Sequence, residues 1–220
     1  MIVSFNEIET MGKRAARGAG MTFGLADEAG KAARWLAVYG LPGPEKLADL
    51  LDQQDGVERA QLAPTATDGT WEAPGGRLCP LVAGAALCDR AAELAGGREI
   101  TLGAVSHPML LAWDVSTASS LIGQNLELVW DDVVMTFGLS GVRIDGSDET
   151  LATSATQAVR CRRISDTGRG VADPAFRSNE GGWKVDEARW VRLGEFAHRT
   201  YAPATEESRL TGAGAGLIDD

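Results

Sequence analysis

Few side chains in this sequence stand where they could do chemistry, and histidine is among the sparsest types, with two residues in the whole chain. His107 precedes a proline and His198 falls near the end of a helical pattern. Two imidazoles all but exclude a metal site built mainly on histidine, and no HExxH, paired-cysteine or EF-hand spacing occurs. A serine triad would announce itself by a G-x-S-x-G elbow and a phosphate cradle by a Walker loop; the sequence has neither. Cys88 adjoins Asp89-Arg90, where a guanidinium could stabilise a thiolate, although a mid-helix cysteine more often packs as a small apolar residue. Asp131 and Asp132 are adjacent, so on a strand they would point to opposite faces. They fit a polar hairpin turn better than an acid/base dyad.

Two regions keep a binding chemistry open. Arg160, Arg162 and Arg163, with Arg169 and Arg177 further on, form the one basic cluster in an acidic chain. On a strand Arg160 and Arg162 share a face, where two guanidinium forks suit a carboxylate or phosphate; the competing reading is a solvated face paired with surplus acids. The second region is the C-terminal segment from Thr200 to Gly216, dense in hydroxyls, charge and glycine. Tyr201, Glu206, Ser208 and Arg209 offer directional polar groups there, and Gly212, Gly214 and Gly216 permit close backbone approach. These glycines are not a dinucleotide fingerprint, which needs GxGxxG between a strand and a helix. Tyr201, Pro203 and Leu210 have something to bury, so the segment is expected to pack against the body.

The elements that would position these groups follow from periodicity. Ser4-Phe5-Asn6-Glu7 has the S-x-x-E form of a capping box, and an apolar stripe at Phe5, Ile8, Met11, Ala15 and Ala19 follows it. A second helix runs from Leu25 to Tyr39 and stops at Gly40; a third runs from Glu45 to Gln53. Residues 55–77 carry three turn signals and read as a loop, with Trp71 the tryptophan expected at the surface. Helix returns from Leu78 to Leu94. Ile100–Leu102 and Met109–Trp113 read as short strands, with Asp114 capping a short helix. Alternation over 126–130 and 133–139 gives a hairpin around Asp131-Asp132, 159–164 and 183–185 are further strands, and 186–199 is a last helix. Helices, then strands, then a helix imply an α+β fold with helices on one face of a mixed sheet. One domain over 1–220 is the expectation; the alternative separates a helical unit, 1–54, from a body, 78–220.

Composition bounds the partners. Of 220 residues 44% are hydrophobic, enough for a sizeable core, and the formal net charge is −10. That charge disfavours nucleic-acid phosphates and anionic lipid. Three cysteines with no repeated spacing suit a reducing compartment, and no window approaches the ~18 apolar residues of a membrane span, so the cytoplasm is expected. Six tryptophans are many for this length and raise the expectation of a homodimer.

Two stretches resemble an uncharacterised bacterial family, the domain-of-unknown-function family numbered 3726. They are Ser4–Glu9 with Ala15–Gly20, and Arg199-Thr200-Tyr201 with Ser208-Arg209 and Gly212–Gly216. The resemblance implies no activity and no cofactor. The N-terminal helices also resemble the opening of the lactate/malate dehydrogenase family that lacks a classical Rossmann domain, through Gly20, Ala26, Ala29 and Gly40. That family is longer and continues into a Ser-His-Gly motif, where this chain has Leu41-Pro42-Gly43, so no dehydrogenase activity is carried over.

The sequence names no reaction, and two readings remain. One is a small-molecule enzyme or ligand-binding protein for a small anionic metabolite, with its pocket where the sheet edge meets Tyr201, Glu206, Ser208, Arg209, Gly212 and Gly214, aided by Arg160 or Arg162. The other is a non-catalytic assembly or partner-binding protein.

Overall fold

The computed structural model describes residues 1–139, 141–165 and 182–201. β1 (Ile2–Val3) leads into α1 (Phe5–Gly18), which starts where its cap requires: Ser4 Oγ accepts the Glu7 N–H at 3.2 Å, and Glu7 Oε2 accepts the Ser4 N–H at 2.7 Å. Thr22 caps α2 (Phe23–Val38), with its Oγ1 accepting the Leu25 N–H at 3.4 Å, and Pro44 sits in the first turn of α3 (Gly43–Gln54). α1 and α2 run against each other at glycine contacts. A Cβ on Gly30 would strike the Glu9 carbonyl oxygen, and one on Gly12 would lie 3.1 Å from the Gly30 Cα.

The segment expected as loop holds a short strand, β2 (Thr70–Trp71), which pairs in parallel with β3 (Ile100–Leu102). This corrects the surface placement of Trp71. With Thr70 opposite Thr101 and Trp71 opposite Leu102, the indole turns into the core and is only 1% exposed. The helix expected from Leu78 to Leu94 is broken at Arg90 into α4 (Pro80–Asp89) and α5 (Ala91–Ala95).

After β4 (Val105–Ser106), the run expected as a strand at Met109–Trp113 is a 3₁₀ turn, Pro108–Leu111, flowing into α6 (Ala112–Ile122). A short apolar run buried on all sides looks the same as strand or helix, and Pro108 in the first turn decides for helix. Asp114 is therefore no cap; it lies inside the first turn of α6, buried.

β5 (Leu126–Trp130) and β6 (Val133–Gly138) form the expected hairpin, with Asp131 at its turn in a left-handed conformation (φ 46°). β7 (Gly141–Asp145), α7 (Asp148–Leu151) and β8 (Ala155–Thr156) follow, then β9 (Val159–Arg163), β10 (Trp183–Lys184) and α8 (Glu187–His198). Among the described residues the chain has eight α-helices and a six-stranded mixed sheet in the order β2-β3-β9-β5-β6-β7, as the α+β expectation required. Leu126, Leu128, Trp130, Val133, Met135, Phe137 and Cys161 are buried beneath α6 and its neighbours, whereas Arg160 and Arg162 on β9 are exposed on the other face. β1 pairs with β10, so the two ends of the described chain meet beside α1 and α8. No helix among these residues is long and apolar enough to cross a membrane.

Candidate functional site

The exposed face of α1 is cationic. Spacings of three and four align Thr10, Lys13, Arg14 and Arg17 on one side of the helix, opposite buried Ile8, Gly12, Ala15 and Ala16. α2 and the end of α8 border that face and form with it a half-open cavity of about 770 Å³. Its wall includes Lys13, Arg14, Arg17 and Arg199 against two carboxylates, Glu9 and Asp27. Both acids are already neutralised: Glu9 pairs with Arg34 at 3.1 Å, and Asp27 pairs with Lys13 at 2.6 Å and Lys31 at 3.0 Å. The Lys13 hydrogen bond, followed by that from Lys31, holds the Asp27 carboxyl below its usual range.

The four cations are held differently. Arg199 forks onto Asp55 at 2.7 and 2.9 Å, an arrangement that lowers the Asp55 pKa. Arg17 donates to the Met21 carbonyl while its guanidinium lies over the Phe23 ring, 3.9 Å from the centroid, and that ring is itself 74% exposed. Arg14 has no carboxylate partner among the described residues; its one hydrogen bond is to the Tyr201 hydroxyl at 3.5 Å. Helix ends also contribute. The C-termini of α1 and α8 bring partial negative charge, and the N-terminus of α2 brings partial positive charge, each roughly half an elementary charge. Whole side-chain charges outweigh these, so the cavity is net cationic on a chain of net charge −10.

A second concavity of about 610 Å³ continues along α1 toward α8, between Thr10, Met11 and Arg14 on one side and Trp190, Ala197 and Tyr201 on the other. Tyr201 closes its end, packed edge-on to His198 with ring centroids 5.4 Å apart.

Of the residues expected at the site, the structure brings Tyr201 to Arg14. Glu206, Ser208, Arg209, Gly212 and Gly214 lie outside the described residues, as does the rest of the C-terminal segment beyond Tyr201 and as do Arg169 and Arg177. Arg160 and Arg162 are not brought to Tyr201. They sit on the open face of the sheet, and the core and helical layer lie between. Arg162 is taken by Glu127 directly across the strand pair, at 2.7 Å. Sequence reasoning missed Lys13, Arg14 and Arg17. Their signal was the polar side of the α1 pattern, which balanced charge elsewhere in the helix obscured.

The other expected candidates are structural in their surroundings. Burial, then the Asp114, Asp89 and Glu28 carboxylates, push the Cys88 thiol up, the reverse of thiolate activation. His107 is buried in a left-handed conformation (φ 43°), with Nδ1 lacking a hydrogen-bond partner. Burial and Lys46 lower its pKa to about 4.

Residues 3–79 match the family described as a protein of unknown function, DUF3726, which covers α1 to α3 and the cationic helix face. The closing stretch from Arg199 is outside that match. Among solved structures, the crystal structure of malate dehydrogenase from Entamoeba histolytica is similar at 14% identity with a TM-score of 0.42, over 67% of this chain and 46% of that one. The chain thus spans less than half the length of that structure. No curated protein sequence matches the chain.

Proposed function

We propose that the chain binds a small anionic metabolite, carrying carboxylate or phosphate groups, in the cavity between α1, α2 and the end of α8. One observation carries the reading: Arg14 holds its guanidinium at the cavity wall with no acid opposing it among the described residues, while the cavity's carboxylates are already paired, Glu9 with Arg34 and Asp27 with Lys13 and Lys31. In a chain with ten more acids than bases, an unopposed arginine flanked by Lys13 and Arg17 is a place where an anion gains rather than loses Coulomb energy. Arg14 supplies a planar fork, Lys13 a point charge shared with Asp27, and Thr10 a hydroxyl beside them. The exposed Phe23 ring under Arg17 adds an apolar wall, as small-molecule sites require alongside their few polar groups. The reading concerns binding; none of these groups is arranged as a nucleophile with a base.

Thermal unfolding in increasing inorganic phosphate, pyrophosphate and citrate tests it. A bound anion stabilises by RT ln(1 + [L]/Kd), about 2.7 kcal/mol at a hundredfold excess over Kd, so Tm should rise along a saturating curve. Arg14→Gln should weaken the best of these anions by about tenfold or more, and Arg14→Lys should weaken it less. Absence of saturable stabilisation by any of the three, or the same curve in Arg14→Gln, would overturn the site.

A further inference from the structure

On the far side of Glu9 from the cationic cavity lies a cleft of about 470 Å³ with a different character. Three half-buried aromatic side chains wall it: Trp35 from α2, Tyr39 just past its end, and Trp113 from α6. Trp35 and Trp113 are each fixed by neighbours, and Tyr39 packs on Trp35. Trp35 rests 6.1 Å from the ring of core residue Phe137 and 4.3 Å from Tyr39, tilted by 38°. Trp113 donates its indole N–H to Glu28 Oε2 at 2.7 Å, and Lys31 holds the other Glu28 oxygen at 2.9 Å. Rings held in this way lose little freedom when a ligand arrives, which is the main cost of ordering a binding surface.

The rim supplies the directional part. Arg34 and Glu9 form an ion pair at 3.1 Å, half-exposed, at the mouth of the cleft. A donor and an acceptor therefore stand side by side. The charge there is balanced, because Glu9 answers Arg34 while Asp27 and Glu28 answer Lys31. Nothing at this rim favours a net charge on the ligand, in contrast to the wall around Arg14.

We propose that this cleft is a second binding site, for an uncharged, flat heteroaromatic ring that carries a donor and an acceptor on one edge. The ring's face meets Trp35, Tyr39 and Trp113, and its edge meets Arg34 and Glu9. Stacking of a base on an aromatic side chain is worth several-fold to a hundredfold in affinity, enough for detection at millimolar probe concentrations. The proposal stands apart from the anion site: it uses different walls and opposite charge logic, with Glu9 the one residue common to both.

The probe is 2-aminopurine, whose fluorescence falls when its face stacks on an aromatic ring. Saturable quenching by the full chain is expected, with Trp35→Ala and Tyr39→Ala each weakening it by about fivefold or more. Arg34→Gln, a surface change that leaves the rings in place, should weaken it by about threefold, because the shorter neutral amide no longer brings a guanidinium fork to the ligand's edge. The saturated ring 2-piperidinone, which keeps a donor–acceptor edge without an aromatic face, should fail to compete. If an alanine variant does not fold, the Arg34→Gln titration and the competition still decide. The absence of saturable quenching, equal quenching in a folded Trp35→Ala protein, or effective competition by 2-piperidinone would each overturn the proposal. Phosphate-induced stabilisation of the parent chain and of Trp35→Ala reads the other cavity alone, so the two sites fail separately; Arg34→Gln is kept out of that comparison because it frees Glu9, which lines both.

Discussion

Gly18, in the last turn of α1, lies directly against the main chain of Phe196 in α8, so close that a Cβ on Gly18 would run into the Phe196 carbonyl oxygen. The obstacle is backbone, which cannot swing away as a side chain would. Through this contact the cationic face of α1 meets the helix that delivers Arg199 and Tyr201, and both helices border the cavity.

Gly18→Ala should therefore destabilise the fold by about 1–3 kcal/mol, the range for forcing volume into a closely packed contact. Gly24→Ala makes a suitable control, because a Cβ there would meet nothing within 4 Å. Urea unfolding of the two variants checks this. Equal stability of Gly18→Ala and the parent would refute the contact.

Asp114 is 3% exposed in α6, with Oδ2 lacking a hydrogen-bond partner and pressed toward Gly84 of α4. Burial first, then the Glu28 carboxylate, raises its pKa well above the ordinary value. Between the unfolded value near 4 and the raised folded value, the folded state holds a proton that the unfolded state has released. Stability should fall with rising pH across that window. Asp114→Asn cannot ionise and has nearly the same shape, so it should flatten the slope and gain on the parent most at alkaline pH. Urea midpoints from pH 5 to pH 9 measure this; parallel profiles would show that Asp114 is charged in the fold.

His107 shifts in the opposite sense. Its folded pKa of about 4 lies below the ordinary value of 6.5, so the unfolded state takes up a proton first as pH falls. The stability it contributes is complete above pH 6.5 and is lost on descending through pH 4, by about 3 kcal/mol for the whole shift. Asparagine tolerates the left-handed conformation that His107 adopts. His107→Asn should therefore remove this acid limb without straining the backbone. An unchanged profile between pH 7 and pH 4 would exclude the imidazole as its source.

Regular elements were legible wherever a local rule acted alone. The Ser4–Glu7 box, the helical pattern over 186–199 and the alternation over 126–130 and 133–139 each bounded an element to within a residue or two. Trp71 and Met109–Trp113 were misplaced because long-range partners decided them: pairing with β3 drew one from a turn-rich loop into the core, and burial on all sides erased the periodicity of the other. The surroundings of the proposed site were legible in one residue only, and that residue lines the neighbouring concavity. Tyr201 stood out as an aromatic among hydroxyls and lies beside Arg14, while Arg14 itself did not stand out, since a guanidinium on a solvated helix face acquires meaning only when α8 is placed beside it.

The last prediction separates the two basic clusters of the chain. Arg160 and Arg162 share the open face of β9 and look, as residue types, like an anion fork. Arg162 is committed to Glu127, its cross-strand partner, at 2.7 Å, and Arg160 stands exposed between Thr101 and Val129, with no wall over it among the described residues. Two half-solvated arginines on a flat face bind an anion weakly, because water competes at every donor and salt screens what remains. Arg160→Gln with Arg162→Gln should accordingly leave phosphate- and citrate-induced stabilisation within about twofold of the parent in Kd. Unfolding free energy should change by less than about 1 kcal/mol, the upper range for an exposed ion pair. Arg14→Gln, on the walled cavity, removes a single charge and should cost far more. If the β9 double variant loses the anion and Arg14→Gln keeps it, the binding surface is the sheet face and the assignment to α1 is wrong.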